Sequence, residues 1–477
     1  MKEHIIDLVA IASSEDTDFD SILGAYDRAG SLYNKVSGVY DNYIDSLNTP
    51  DMQEVETAMA EPVSRHESKC YNIPGLFEKV TLMYDIREEM ANKGEWTAEQ
   101  VRLAERVYIE DFVRMGAKLN EEEKKELANI QAEQATLETK FYQNMLKDEE
   151  TWEMVITVED MTGCPEDLVA AARQAAIDRG HEEADDHVIT LGRSLMEPFL
   201  TYSTRRDLRK KAFEAWTSRG ELSEERDNLS IATKMLRLRK RQANLMGHTT
   251  FAEYQTEDTM AQTPENVMKL LMDVWERAKE AANIERAMMD SLVSEKGDEL
   301  EGGIQPWDWR YYAEQVRQAN FNFDESELKP YLSLDAMTNA VFDVSYKLYG
   351  LKYVKRDDIK AYHKDVNVYE VRRAKKDSPD DEDELVAIFL HDNYARAHKS
   401  SGAWMSEYRT QKKNLIAGTD PIESVPIVSN NNNFAKTSGA TLLSFDDGST
   451  LFHGKSCSLY IALYYRFAQI LTQYSSL

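Results

Sequence analysis

His453 is the residue whose chemistry the rest of the chain has to explain. It closes the stretch Ala440-Thr-Leu-Leu-Ser-Phe-Asp-Asp-Gly-Ser-Thr-Leu-Phe-His453. Ser444 or Asp446 can cap a helix there, and Leu451 and Phe452 then face a core. A histidine at that point is what a His-Glu-x-x-His metal helix needs. Two imidazoles one turn apart on one face bind the ion, and the glutamate beside them activates its bound water. Only the first of these three residues is present. Gly454, Lys455, Ser456 and Cys457 follow, so the glutamate and the second histidine are both missing. One other pair, His181-Glu182, begins in the same way, but position 185 is Asp. Its neighbours Glu183, Asp185, Asp186 and His187 read as a solvated loop.

The elements that must position His453 are helical over most of the length. At 477 residues the chain exceeds what one hydrophobic core usually serves, so two lobes are expected. Asn120-Glu-Glu-Glu123 reads as a capping box. Leu127, Ile130, Leu137, Phe141 and Met145 then recur on one face, with Gln134 in an otherwise apolar slot. Trp96-Thr97 opens the preceding helix, which ends near Gly116, and the two are expected to pack as an antiparallel pair. Helices over Asp207 to Trp216 and Asn228 to Met246 follow, the first ending at Arg219-Gly220. In Met260-Ala-Gln-Thr-Pro-Glu265, Thr263 is the cap and Pro264 lies in the first turn. Val267, Leu271, Val274 and Ala278 form the expected buried face, and Trp307 to Ala313 opens another helix. The texture changes near Gly350. Val366 to Val371 and Glu384 to Leu390 suit strands joined across a polar turn at Lys375 to Asp383. Gly402-Ala-Trp-Met-Ser406 and Val425-Pro-Ile-Val428 are further strand candidates. The expected fold is mainly α with one small sheet confined to about residues 360–430, beside the start of the metal helix.

Charge and cysteine usage narrow the partners. Lys and Arg number 57 and Asp and Glu 85, a net charge of −28, which argues against nucleic acid because phosphate binding needs clustered cations. No apolar run reaches the length of a membrane span, and the N-terminus lacks the pattern of a secretory signal or transit peptide. Cys70, Cys164 and Cys457 are too scattered for a disulfide framework, so a reducing, cytoplasmic setting is expected.

Several stretches spread over nearly the whole chain carry a family resemblance. They are Tyr108-Ile-Glu-Asp-Phe-Val-Arg-Met-Gly-Ala117, Met260-Ala-Gln-Thr-Pro-Glu265, Trp307-Asp-Trp309 and Val368-Tyr-Glu-Val371. Ser401-Gly-Ala-Trp-Met-Ser406, Asn432-Asn-Phe-Ala435, Leu442-Leu-Ser-Phe-Asp-Asp447 and Thr450-Leu-Phe-His453 complete the set. Each is weak alone, but in this order they resemble the zinc oligopeptidases related to thimet oligopeptidase, and most of all their peptidyl-dipeptidase branch. The resemblance implies a two-lobed helical molecule with a deep channel, a Zn²⁺ cofactor, and short peptides as substrates. His453 matches the first zinc ligand. No residue matches the catalytic glutamate, the second histidine or the third ligand, so no catalytic residue is assigned. Gly402, Ala403 and Trp404 match the strand that lines the substrate channel, whose backbone can pair with an extended peptide. An ordinary buried strand with Trp404 in the core is the competing reading.

On this basis residues 1–200 form an N-terminal helical region and 201–453 an incomplete zinc-peptidase catalytic domain. Residues 454–477 form an aberrant tail with no Asp or Glu and four tyrosines. A Glu codon begins with G, and G followed by a splice-donor sequence GTAAGT reads Gly-Lys-Ser when the next base is C. The chain has Gly454-Lys455-Ser456. The tail therefore reads as translated intron, and the chain as written is expected to be inactive. The alternative is a non-catalytic peptide-binding or scaffold protein, or a truncated pseudogene product.

Overall fold

The computed structural model describes residues 1–321, 325–373, 383–414, 422–436 and 439–454. The chain is mainly helical, as expected, with one five-stranded sheet and two two-stranded ones among the described residues. It divides into two compact units interleaved in sequence. One comprises Met1–Ile44, Asn48–Met145 and Ser223–Ala278, and the other Asp45–Leu47, Leu146–Leu222 and the chain from Lys279 on.

In the first unit, Leu8, Ile22, Leu76, Val80, Met83, Ala104 and Phe112 form one apolar core. Thr97 and Gln100 form a capping box at the start of the helix Ala98–Arg106. Asn120 caps the next helix, Glu121–Thr151: its Oδ1 accepts from Glu123 N at 3.0 Å and its N donates to Glu123 Oε2 at 3.1 Å. Leu127 and Ile130 are buried, whereas Leu137, Phe141 and Met145 are only half-buried. Gln134 fits its slot because its amide donates to Gln242 Oε1 at 2.9 Å. The expected antiparallel pair does not form. Ala104, Val107 and Phe112 turn toward Leu76, Val80 and Met83, so Ala98–Arg106 packs on the helix Leu76–Asn92 instead.

The helix Pro264–Lys296 starts where the sequence indicates, with Thr263 Oγ1 accepting from Asn266 N at 3.3 Å. Its expected buried face is not buried: Leu271 is 54 % exposed and Val274 59 %, and Ala278 is exposed too. Helical periodicity identifies an apolar stripe, but burial needs a second surface, and the described residues supply none over this part of the helix.

The second unit contains strands that the helical reading of the first 200 residues missed. β1 (Glu153–Ile156) pairs antiparallel with β2 (His187–Thr190). His187 is therefore a buried strand residue rather than part of a solvated loop. Four-residue strands are too short to show alternation between strong helical signals. The main sheet runs β3 (Leu351–Lys355), β4 (Val366–Arg373), β5 (Glu384–Tyr394), β6 (Trp404–Arg409) and β9 (Ile427–Phe434), in the spatial order β3-β4-β5-β9-β6. A separate ribbon pairs β7 (Lys412–Asn414) with β8 (Ile422–Ser424). The β4–β5 hairpin forms as expected, and its turn at 374–382 lies outside the described residues. The sheet exceeds its expected bounds at both ends, because β3 follows the helix Leu334–Tyr349 directly through Gly350 at φ +68°. At the other end, β9 starts at Ile427 and continues through Asn430 to Asn433, a polar run that strand propensity disfavours.

The Trp307-Asp-Trp309 stretch has a structural role. Asp308 is fully buried and accepts from Arg209 Nη2 and Arg206 Nη2, each at 2.8 Å. Among the described residues no helix is long and apolar enough to cross a membrane. Cys70 and Cys164 are free, while Cys457 and the rest of the tail after Gly454 lie outside the described residues.

Candidate functional site

His453 lies on a helix over residues 445–454. Ser444 caps it: its Oγ accepts from Asp447 N at 3.0 Å, while Asp447 Oδ2 accepts from Ser444 N at 3.1 Å. Burial raises the Asp447 carboxyl above its usual range, against the pull of the two Ser444 hydrogen bonds. Leu443 and Leu451 sit in one apolar cluster with Leu334, Val341 and Phe434. Leu334 N donates to Thr441 O and Leu443 N to Leu332 O, both at 2.9 Å, so the approach to the helix is tied down by backbone. Leu451 is buried and Phe452 half-buried, as the pattern implied, but Phe445 is 65 % exposed. His453 itself is exposed and belongs to no group of three metal-capable side chains among the described residues. These residues do not by themselves make a zinc centre around it.

Gly402, Ala403 and Trp404 lie where a loop becomes an edge strand. Gly402 has φ +90°, a left-handed conformation no strand continues, so β6 begins at Trp404 and not at Gly402. Asn433 Nδ2 donates to the carbonyls of Ser400 and Gly402, both at 2.7 Å, and so fixes the loop. β6 is the last strand of its sheet, and among the described residues it pairs with β9 alone. Every β6 residue is half-buried. Trp404 is thus not sealed in the core, and its buried Nε1 has no acceptor among the described residues. Gly402, Ala403 and Asn433 line a cleft of ≈ 1410 Å³ together with Arg193, Arg310 and Asp447.

Beneath the loop is a charged node that sequence reading did not find. Asp392 on β5 is fully buried. Both its oxygens accept from Arg396, at 2.7 Å each; Lys399 Nζ donates to Oδ1 at 2.9 Å and Tyr362 OH to Oδ2 at 2.6 Å. Lys399 Nζ also donates to the carbonyls of Tyr394 and Asn432, at 3.0 and 2.5 Å. Burial alone would raise the Asp392 carboxyl, but Arg396 and Lys399 hold it below its usual range. Burial lowers the Lys399 ammonium to about 8. The Asn430–Asn433 run braces the same place. Asn432 Nδ2 donates to Asn393 Oδ1 and Asn430 Oδ1, both at 2.9 Å. The one sequence signal for this node was four consecutive asparagines beside the apolar Val425 to Val428.

His181 is not part of the site. Its Nε2 lies 3.0 Å from Glu153 Oε1, an anchor between its loop and β1.

The model of peptidase family M3 matches residues 199–461 of the chain. The dipeptidyl carboxypeptidase of Escherichia coli strain K12 is 30 % identical over 460 residues, which is 95 % of this chain and 64 % of that protein. The dipeptidyl carboxypeptidase of Salmonella typhimurium is 29 % identical, over 91 % of this chain and 61 % of its own length. Oligopeptidase A of Haemophilus influenzae is 28 % identical over 72 % of this chain and 49 % of its own length. The chain thus spans less than two thirds of each of these relatives.

Proposed function

The chain belongs to peptidase family M3, and from that premise we propose that it carries the peptide-holding part of a zinc metallopeptidase acting on oligopeptides in the cytoplasm. The observation that carries this reading is the edge position of β6, which among the described residues pairs with β9 alone. An extended peptide can add to that edge as a further strand, taking its affinity from main-chain hydrogen bonds and its selectivity from alternate side chains. Gly402 and Ala403 line the cleft, and Trp404 supplies the first backbone position of the strand beside it. In this reading His453 is one zinc ligand. The ion would supply a bound water acidic enough to attack an amide, but the other ligands are not among the described residues, and no step is routed through it. Residues 454–477 are read as intron-derived, so the 477-residue chain binds peptides without cleaving them. That scaffold-like behaviour is the second reading, favoured by His453 having no companion ligands among the described residues.

The test pairs binding with cleavage. A fluorescein-labelled oligopeptide should bind the chain in an anisotropy titration, and a quenched fluorescent peptide should stay intact. Glycine at Ala403 and Trp404 together should weaken binding. Cleavage that chelators abolish would show the chain as written to be catalytic, whereas equal binding by the double variant would remove β6 from substrate recognition. Sequencing the gene downstream of the Ser456 codon tests the tail: if no frame within intron reach encodes Glu-x-x-His, the intron reading is wrong.

A further inference from the structure

The first unit brings one side chain from near the N-terminus against a pair some sixty residues later in the sequence. His66 and Cys70 occur four residues apart on the helix Pro50–Tyr71, and so on one face. His4 comes from the helix Lys2–Ser13. His4 Nδ1 is 3.1 Å from His66 Nε2, and Cys70 Sγ is 3.8 Å from the first and 3.7 Å from the second. Among the described residues this is the one group of three or more His, Cys, Asp or Glu side chains that could hold a metal ion. We propose that His4, His66 and Cys70 form a zinc site, separate from His453 and independent of the peptidase reading.

The distances match the ion. Zinc takes nitrogen at about 2.0–2.1 Å and sulfur at about 2.3 Å, usually in a tetrahedron. That geometry puts two coordinated nitrogens about 3.4 Å apart and a nitrogen and sulfur about 3.6 Å apart. The three contacts need only tenths of an ångström of adjustment to reach these values. The donor set of two imidazoles and one thiolate is also one that zinc accepts readily.

The surroundings hold the rings in place. Tyr33 stacks on His4 with centroids 5.4 Å apart and planes at 27°, and lies 4.7 Å from the His66 ring. Gly30, at φ +65°, lets backbone come close to His4: a Cβ there would lie 2.6 Å from the imidazole Cδ2. Gly30 N donates to Asp7 Oδ2 at 3.2 Å, which ties that turn back to the helix carrying His4. His66 and Cys70 are 7 % and 6 % exposed, and His4 is partly exposed, which leaves the ion a way in and a fourth coordination position for water. On binding, the thiol proton leaves to solvent as the sulfur–zinc bond forms. The proton shared between His4 Nδ1 and His66 Nε2 moves to an outward-facing ring nitrogen, so each imidazole presents a lone pair.

Without metal the same groups satisfy one another through a His–His hydrogen bond and weak contacts to sulfur, so the experiment must separate a loaded site from a packed cluster. The tag-free, chelator-stripped 477-residue chain is titrated with cobalt(II), whose thiolate-to-metal charge-transfer band reports sulfur ligation. The band should saturate at one equivalent and disappear on adding zinc. Cys70→Ser should abolish it. His4→Gln, at a partly exposed position that leaves the thiol and the fold intact, should weaken binding at least about tenfold. His453→Gln should leave the band unchanged. A chain with native far-ultraviolet circular dichroism and no band at one equivalent overturns the proposal. So does a band that survives in Cys70→Ser, which would put the sulfur at Cys164 or Cys457.

Discussion

Two places in this chain invite a metal, and they are built in opposite ways. His453 stands in a recognisable run of sequence, on a capped helix in the expected position, yet is exposed and without companion ligands among the described residues. His4, His66 and Cys70 carry no readable motif, and the fold brings their donor atoms within 3.8 Å of one another. Sequence spacing can pair His66 with Cys70, one helical turn apart, but only packing brings His4 to them from a different helix. The supports differ as well. Near the β6 edge the loop rests on buried charges, Asp392 with Arg396 and Lys399. The histidine cluster rests on neutral rings, with Tyr33 against both imidazoles.

The largest test of this contrast is Asp392→Asn. It leaves Arg396 and Lys399 buried without their anion and should cost about 3–5 kcal/mol. Urea unfolding measures it, and a loss below about 1 kcal/mol would mean that the charges are not what supports the loop. Lys399 comes next. Its folded pKa is lowered from 10.5 to about 8, so between those values the unfolded chain holds a proton that the folded chain lacks. Stability should therefore rise from pH 8 toward 10.5, by at most about 3 kcal/mol, and Lys399→Met should flatten that part of the profile. The ring-built site should respond to metal instead. Zinc at a hundredfold excess over its Kd should add about 2.7 kcal/mol to the wild type and to His453→Gln, and nothing to Cys70→Ser. A wild-type midpoint that ignores zinc would break the contrast from that side. The smallest effect is that of Gly30→Ala. A side chain at φ +65° that also crowds His4 should cost about 1–3 kcal/mol and weaken cobalt binding in parallel.

Legibility in the sequence followed the range of each interaction. The caps at Thr97, Asn120, Thr263 and Ser444 are local, and all form. The β4–β5 hairpin is nearly local and also forms. Long-range partners were not legible. Nothing in the composition of residues 264–278 says whether a second surface covers their apolar stripe. Nothing near Asp392 says that a lysine and an arginine downstream will meet it. The asparagines from Asn430 to Asn433 read as a loop because strands seldom bury such residues; here each side chain makes at least one hydrogen bond, and the strand survives. The family resemblance reached further than the physics, since it rests on many short stretches in a fixed order, and it is borne out by the match over residues 199–461.

The exposed stripe on Pro264–Lys296 has an optical consequence. Of the seven tryptophans, Trp275 alone is exposed, at 54 %. It lies on the same helix as Leu270, Leu271 and Val274, all more than half exposed. Its indole should therefore emit at the red end of the protein's fluorescence and be the first quenched by iodide. Any surface that comes to cover the stripe would shift that emission to the blue, so the chain carries its own reporter of whether this helix is dry or wet.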